Sequence, residues 1–179
     1  MRNMRIDSII SKIRIKKWKK DGAIIGDNLH MERNSYLDSS FPWLITIGNN
    51  VTIAPDVLIL SHDGSTQKAI GYSKIGKVTI GDNFFIGCKS IILPDTVIGD
   101  NCVIGAGSIV KGVFPENTII SGAPARVMQS LGTFKEKNER RLESGNVFDI
   151  SYTRKGKITK EKKQQMLEVM ESSKNSFVV

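Results

Sequence analysis

A mainly β fold, in which short parallel strands stack as successive coils, is the fold class that the sequence predicts. Six consecutive hexads run from Val78 to Val113: VTIGDN, FFIGCK, SIILPD, TVIGDN, CVIGAG and SIVKGV. The third place is always aliphatic, as Ile80, Ile86, Ile92, Ile98, Ile104 and Val110. β-Branched triplets separated by Gly, Asp, Asn or Pro fit one short strand and one turn per hexad, a pattern typical of a parallel β-helix. Since no single coil can bury its own aliphatic face, stacking of coils should form the core.

The same pattern begins before these six hexads and is then interrupted. ITIGNN, VTIAPD and VLIL place Ile47, Ile53 and Ile59 in the third position, and IIGDN at 24–28 looks like an earlier, less regular coil. Ile59 and Ile80 are 80 − 59 = 21 residues apart, which is not a multiple of six. The segment at about 61–77 should therefore leave the coil as an inserted loop. Loops on a rigid scaffold often carry function, which makes His62 a candidate functional residue.

Length and charge bound the domain organisation and the partners. A chain of 179 residues predicts one principal domain at 23–128, with a basic flank at 1–22 and a polar tail at 129–179. The net charge of +8 favours anionic partners, such as a phosphorylated cofactor, nucleic acid or an acidic membrane surface. No apolar run approaches the roughly 20 residues of a membrane span, and no signal peptide is evident, so a cytoplasmic location is expected. Cys88 and Cys102 lack CxxC spacing and are expected to be free thiols.

The repeat and its ending resemble a known family. VTIGDNFFIGCKSIILPDTVIGDNCVIGAGSIV, closed by FPENTIISGAPARV, is similar to the hexapeptide-repeat acyltransferases, and within them to the sugar and polysaccharide O-acetyltransferase branch. The resemblance implies a left-handed parallel β-helix with three hexads per coil, and a homotrimer with acetyl-CoA sites between neighbouring subunits. It implies acetyl transfer to a hydroxyl of a sugar or glycan precursor, of capsule, O-antigen or exopolysaccharide type. Serine, amino-sugar or antibiotic acetylation is the alternative within enzymes, and a non-enzymatic β-helix scaffold is the alternative outside them.

The resemblance also implies a catalytic histidine on a loop equivalent to 61–77. His62 stands at that point, and an imidazole suits the reaction because a sugar hydroxyl is a poor nucleophile until a base takes its proton. Direct transfer in a ternary complex is expected. Asn34, Asp38 and Asp63 are the candidates for acceptor binding. Asp38 either binds sugar hydroxyls, orients His62 or is simply a turn residue, and Asp63 is either a corner residue or a weak orienting partner.

Cofactor-binding residues are carried over from the family by position. Phe85 takes the place where a tryptophan often covers the acetyl end of acetyl-CoA, and Cys88 and Ala106 match positions whose backbone groups contact the pantetheine arm. A backbone amide there could also support the thioester carbonyl as it becomes an oxyanion. Lys111 and Arg126 are candidates for the CoA phosphates, because cationic side chains form charge-assisted hydrogen bonds with phosphate. Arg126 lies in the better matched motif, GAPAR, whereas Lys111 is shifted by one place from the family pattern.

No metal and no nucleic acid are expected to take part. The resembling gamma-class carbonic anhydrases use three histidines for metal, and this chain has only His30 and His62, which are far apart in sequence. His30 is therefore interpreted as structural.

The two flanks are predicted to be helical. In the first, Ile6, Ile9, Ile10 and Ile13 share one helical face among many Lys and Arg. That helix either caps the first coil with a solvated basic edge or lies on an anionic membrane at the inner face, beside a lipid-linked acceptor. In the tail, TFKE at 133–136 has the form of a capping box, and Met166, Val169 and Met170 share a face of a further helix.

Overall fold

The structure of the protein is a computed structural model. It describes the backbone of residues 2–172 and 175–179, and the side chains of residues 9–172 and 175–179. Met1 and the side chain of Ile6, both part of the expected basic flank, lie outside the described residues. The chain forms two compact units, Met1–Leu131 and Gly132–Val179.

The first unit consists almost entirely of short strands after an N-terminal helix. The helices are α1 (Arg2–Lys20) and α2 (Gln67–Ile70), with 3-10 turns at Pro42–Leu44 and Gly64–Thr66. The strands, in chain order, are β1 (Ile24–Ile25), β2 (His30–Met31), β3 (Tyr36–Leu37), β4 (Ile45–Ile47), β5 (Val51–Ile53), β6 (Leu58–Ile59), β7 (His62–Asp63), β8 (Lys74–Ile75), β9 (Val78–Ile80), β10 (Phe84–Ile86), β11 (Ile91–Ile98), β12 (Val103–Ile104), β13 (Ile109–Phe114), β14 (Thr118–Gly122) and β15 (Ala125–Ser130).

The strands pair in parallel along three rows, and the chain returns to the same row after every third strand. The rows hold three aligned columns of side chains: Ile25, Ile47, Ile80, Ile98 and Phe114; Met31, Ile53, Ile86, Ile104 and Ile120; and Leu37, Ile59, Ile92 and Val110. All of these side chains are buried. The predicted mainly β fold of stacked parallel strands, with the third place of each hexad forming the core, is confirmed.

The corners between the second-row strands and those before them carry a ladder of asparagines. Asn28, Asn50, Asn83, Asn101 and Asn117 all have φ between 55° and 58°, a left-handed conformation that asparagine adopts more readily than most residues. Each carboxamide donates to the next one, over 3.0 Å for the first pair and 3.1 Å for the other three. Polar side chains therefore repeat outside the coil at the same spacing as the aliphatic columns inside it.

The segment at 61–77 leaves the coil as a small arm. β7 and β8 pair antiparallel, with His62 opposite Ile75, and the amide of Gly76 donates to the carbonyl of Ser61 over 2.9 Å. α2 and the 3-10 turn at Gly64–Thr66 lie between these two strands. The arm thus closes on itself, and His62 stands where it joins the coil.

Helix α1 contacts the first coil through residues other than the isoleucine face seen in the sequence. Trp18 is buried and Ile15 packs against the core, whereas Ile9, Ile10 and Ile13 are 47–62% exposed. An interpretation in which the isoleucines cover the coil is therefore wrong, because Trp18 is the larger apolar group and sits next to the first strand. Within residues 2–172 and 175–179, no helix has both the length and the apolarity needed to cross a membrane.

The second unit is a small α/β assembly. It contains α3 (Leu131–Glu143), β16 (Asn146–Phe148), a 3-10 turn at Ile150–Tyr152, α4 (Lys160–Ser172) and β17 (Ser176–Val178), with β16 and β17 paired in parallel. The expected capping box is wrong in its position, because α3 already begins at Leu131 and Thr133 lies in its first turn. The further helix expected around Met166 and Val169 is present as α4.

Candidate active site

His62 and Asp38 meet because they follow neighbouring strands of the third row. Leu37 of β3 pairs with Ile59 of β6, and the amide of Asp38 donates to the carbonyl of Ile59 over 2.8 Å. The chain turns at this corner, so the carboxylate that follows one coil lies beside the histidine that follows the next. The Asp38 side chain is fully buried, whereas that of His62 is 35% exposed. One side of the imidazole is therefore held by the protein, and the other is accessible.

Five hydrogen bonds hold the Asp38 carboxylate. The Nδ1 of His62 donates to its Oδ2. That oxygen also accepts from the amides of Ser61 (3.0 Å) and His62 (3.1 Å) and from the hydroxyl of Ser61 (3.1 Å), and Oδ1 accepts from the amide of Ser40 (3.0 Å). Such a buried carboxylate with all its acceptor capacity used is rigid and suited to orienting the ring.

These hydrogen bonds also determine the charge of Asp38. Burial by itself raises the pKa of this carboxyl, but the hydrogen bonds from Ser40, His62 and Ser61 together outweigh burial, and the pKa is lowered below its ordinary value. Asp38 is therefore a carboxylate at neutral pH and can only accept hydrogen bonds. The proton on the neutral imidazole must then lie on Nδ1, which leaves Nε2 as the basic nitrogen on the accessible side.

Two aromatic side chains that the sequence analysis missed extend from this dyad. The ring of Phe41 lies 5.7 Å from that of His62, with 59° between their planes. Trp43 lies 5.7 Å from Phe41 at 77°, an edge-to-face arrangement, and is 59% exposed. The proline of FPWL indicates a turn there, but nothing in the linear sequence places that turn beside a loop 20 residues later.

The cofactor candidates Phe85, Cys88 and Ala106 lie together on a different part of the coil. Phe85 is in β10 of the second row and is 45% exposed. Cys88 and Ala106 follow β10 and β12 at the same corner of adjacent coils, where the amide of Gly107 donates to the carbonyl of Cys88 over 2.8 Å. Both cysteines are free, with Cys88 exposed and Cys102 buried. Within one chain this corner follows the second row, whereas the Asp38–His62 corner follows the third.

Lys111 and Asp63 are on the same side as His62. Lys111 follows Val110 of the third row, and its charge, with that of Lys74, helps to lower the pKa of Asp63. Hydrogen bonds from Ser65 are the main cause of that lowering, because Asp63 caps the 3-10 turn and accepts from the Ser65 amide over 2.8 Å. Asp63 thus stabilises the arm, and its recorded hydrogen bonds are to Ser65 rather than to the imidazole.

Arg126 and Asn34 lie away from the dyad. Arg126, in β15, pairs with Ser121 of β14; its side chain is exposed and its Nη1 donates to the carbonyl of Ala125 over 2.8 Å. Asn34 has a φ of 60° and lines a groove with Ile10, Ser11, Arg14, Glu32 and Arg33. The structure therefore brings Asp38 to His62, groups Phe85 with Cys88 and Ala106, and places Asn34 and Arg126 elsewhere.

Comparison with known proteins identifies the family. Residues 77–112 match the model of the bacterial transferase hexapeptide family, which describes six repeats. Protein CapG of Staphylococcus aureus is 39% identical over 128 residues, which cover 68% of this chain and 73% of that protein. The chain belongs to the bacterial hexapeptide transferases. The family resemblance drawn from the hexads and the GAPAR ending is thereby confirmed.

Two further relatives of this hexapeptide transferase have more specific names. The galactoside O-acetyltransferase of Escherichia coli K12 is 38% identical over 115 residues, which are 59% of this chain and 56% of that enzyme. The chain thus spans little more than half the length of that relative. A solved structure of a galactoside acetyltransferase in complex with coenzyme A superimposes with a TM-score of 0.51 and 29% identity, covering 70% of this chain and 74% of the other. These relatives fit the sugar O-acetyltransferase branch.

Proposed function

We propose that the protein is an acetyl-CoA-dependent O-acetyltransferase that acts on a hydroxyl of a sugar or glycan precursor, of capsule, O-antigen or exopolysaccharide type, and needs no metal. The observation that carries this proposal is the buried, ionised Asp38 that fixes Nδ1 of His62 and leaves Nε2 free to act as a base. Membership of a family with galactoside O-acetyltransferases among the relatives supports the sugar acceptor and the acetyl donor.

The proposed reaction is a direct transfer. Nε2 of His62 accepts the proton of the acceptor hydroxyl while Asp38 stabilises the imidazolium that forms. The hydroxyl oxygen adds to the thioester carbonyl carbon, the C–S bond breaks, and the proton passes from His62 to the departing CoA sulfur. Backbone amides near Cys88 and Ala106 are suited to support the oxyanion. No covalent acetyl-enzyme is required, so Cys88 acts through its backbone rather than as a nucleophile.

We propose that a second copy of the chain completes the site, within a homotrimer of left-handed coils. In one chain the dyad and the group Phe85, Cys88 and Ala106 occupy different corners. The coil also carries exposed aliphatic side chains on its strands, including Val97 (43%) and Val113 (79%), which a neighbouring subunit could cover. His62 of one subunit would then act on acetyl-CoA held by Phe85, Cys88, Ala106, Lys111 and Arg126 drawn from both chains.

An acceptor screen tests the proposed function. The protein is incubated with acetyl-CoA and a panel of methyl glycosides, amino sugars, serine and aminoglycoside antibiotics, and the products are analysed by mass spectrometry. Addition of one acetyl group to a sugar hydroxyl supports the proposal. Acetylation of serine or of an amine alone assigns a different acceptor, and thioester turnover with none of these compounds leaves a scaffold role.

Arg126 gives a prediction about the donor. If it binds a CoA phosphate, Arg126→Ala should raise KM for acetyl-CoA by roughly tenfold to a hundredfold, because a charge-assisted hydrogen bond contributes about 1.5–3 kcal/mol. The KM of the acceptor should change little. Steady-state kinetics with each substrate varied in turn measure both values, and Arg141→Ala, on α3, is the control for loss of a surface charge. An unchanged KM for acetyl-CoA removes Arg126 from the cofactor site.

We propose that the protein works in the cytoplasm, with helix α1 on the anionic inner face of the membrane, close to a lipid-linked acceptor. Support comes from Ile9 and Ile13, which are 57% and 62% exposed and share the outer face of the helix with Lys16 and Lys20. Trp18 holds the opposite face to the coil. Apolar side chains flanked by lysines match the chemistry of an anionic lipid surface.

Vesicle binding tests this membrane contact. Neutralising Lys16, Lys17, Lys19 and Lys20 should weaken binding to phosphatidylglycerol vesicles by about 1 kcal/mol for each charge that reaches the surface. Added salt should have a similar effect, because exposed charges are screened over about 10 Å at 0.1 M. Acetyl-CoA kinetics in solution serve as the control and should not change. If the wild-type protein does not cosediment with anionic vesicles, α1 is a solvated helix.

A further inference from the structure

An exposed tryptophan stands two aromatic rings away from the free side of the proposed base. Trp43 is 59% exposed although its neighbours in the 3-10 turn are not, since Pro42 is buried and Leu44 is half-buried. The hydrophobic effect alone would favour covering an indole of this size. Its position on a short, well-anchored turn holds it at the surface, where its face is available to a ligand.

The turn that presents Trp43 is tied to the dyad by direct contacts. The carbonyl of Phe41 accepts from the hydroxyl of Ser61 over 3.1 Å, and Ser61 also donates to Asp38. The ring of Phe41 packs between His62 and Trp43, 5.7 Å from each. The indole and the imidazole are thereby fixed relative to each other, at most 5.7 + 5.7 = 11.4 Å apart between ring centroids. A base and an apolar surface at this separation suit an acceptor of one or two sugar rings.

The chemistry of the platform indicates the class of ligand. A pyranose ring has polar edges and apolar faces formed by its C–H groups, and these C–H groups are attracted to the electron-rich face of an aromatic ring. Serine or a simple alcohol has no such face. On the other side of His62, the arm offers Asp63 and Lys74, which can bind hydroxyl groups, so the region combines one aromatic surface with polar groups, as is usual for small-molecule sites.

We propose that Trp43 is the stacking platform for the sugar ring of the acceptor, held in place by Phe41 and oriented toward Nε2 of His62. This inference rests on the proposed function and deepens it, since it assigns a residue that selects a ring-shaped acceptor. Stacking positions the hydroxyl without taking part in proton transfer. Trp43 therefore contributes to acceptor binding and selectivity, whereas His62 contributes to the chemical step.

Kinetics of three variants, measured with the best methyl glycoside from the acceptor screen, test the platform. Trp43→Ala should raise KM for the glycoside by about tenfold while KM for acetyl-CoA stays the same. Trp43→Phe, which keeps an aromatic face, should retain most of the affinity. Trp43→Leu, which keeps apolar bulk without that face, should resemble Trp43→Ala. The alditol of the same sugar, which has the hydroxyls but no ring, should be a poor acceptor for the wild type and insensitive to these variants.

Fluorescence quenching provides a readout that is independent of turnover. The chain has two tryptophans, and because Trp18 is only 5% exposed, iodide should quench mainly Trp43. In the His62→Ala protein, the glycoside should protect this fluorescence from iodide, and the alditol should not. Lack of protection, equal effects of Phe and Leu at position 43, or a rise in KM for acetyl-CoA would each overturn the platform. Failure of the wild type to acetylate any sugar would instead overturn the proposed function.

Discussion

Replacing His62 with alanine is expected to lower kcat by about 10²–10⁴, the usual range for loss of a general base. Without Nε2, no described group is placed to take the acceptor proton at this corner while held by a buried carboxylate. The side chain is 35% exposed and lies outside the aliphatic columns, so the fold should tolerate the change. Transfer rates at saturating acetyl-CoA and acceptor measure the effect, and calorimetric titration should show unchanged acetyl-CoA affinity.

His30 provides the matched control. It is the only other histidine in the sequence, and in the structure it pairs with Glu32 over 3.0 Å on the outside of β2. His30→Ala should leave kcat within about twofold of the wild type, because exposed ion pairs contribute little. Near-normal turnover in His62→Ala, or an equal loss in both variants, would exclude His62 as the base.

Replacing Asp38 with asparagine is expected to have a comparable effect on kcat, again by about 10²–10⁴, through the orientation and charge of the imidazole. An amide cannot offset the positive charge that develops on His62. Its NH₂ group would also face the amide and hydroxyl donors of Ser61 in place of an acceptor oxygen. Buried donors left without partners cost about 1–3 kcal/mol, so this variant should also unfold at lower urea concentration.

The pH dependence of that stability loss follows from the pKa of Asp38. Burial raises it, but the hydrogen bonds from Ser40, His62 and Ser61 bring it below the ordinary value of 3.8. A lowered pKa in the folded state stabilises the protein above pH 3.8, and the contribution disappears as the pH falls through the folded-state value. The difference between wild type and Asp38→Asn should thus be constant near neutrality and shrink under acid. Asp63→Asn, which keeps an acceptor for Ser65, should lose little activity.

The sequence was sufficient for the coil because its period is local. Every aliphatic residue from Ile80 to Val110 could be assigned to the core by counting in sixes, and each is buried. The same counting could not align Asp38 with His62, which are 24 residues apart. Extra residues separate Leu37 of the first coil from Ile45 of the next, so the register between these coils depends on a turn whose length has no periodic signature.

The aromatic residues beside the dyad and the orientation of α1 were beyond reach for a related reason. Phe41 and Trp43 belong to that same irregular turn, and their proximity to His62 exists only after the arm at 61–77 has folded back. In α1, the isoleucine spacing correctly indicates a helical face, but which face is buried is decided by contacts of Trp18 with the first coil. Amphipathic spacing identifies a surface without identifying what covers it.

The antiparallel strand β15 has a consequence for how the protein stays soluble. A stack of parallel strands with aligned side-chain columns and an asparagine ladder has the internal order of an amyloid protofilament, made from one chain. Its last parallel strand, β14, would offer open hydrogen-bonding groups to any other coil of the same sequence. β15 reverses direction and pairs with β14 from Thr118 to Gly122, with a break in register between Ile119 and Ile120. A strand of opposite polarity and irregular register is a poor template, so it ends a growth process that the repeat itself would otherwise continue.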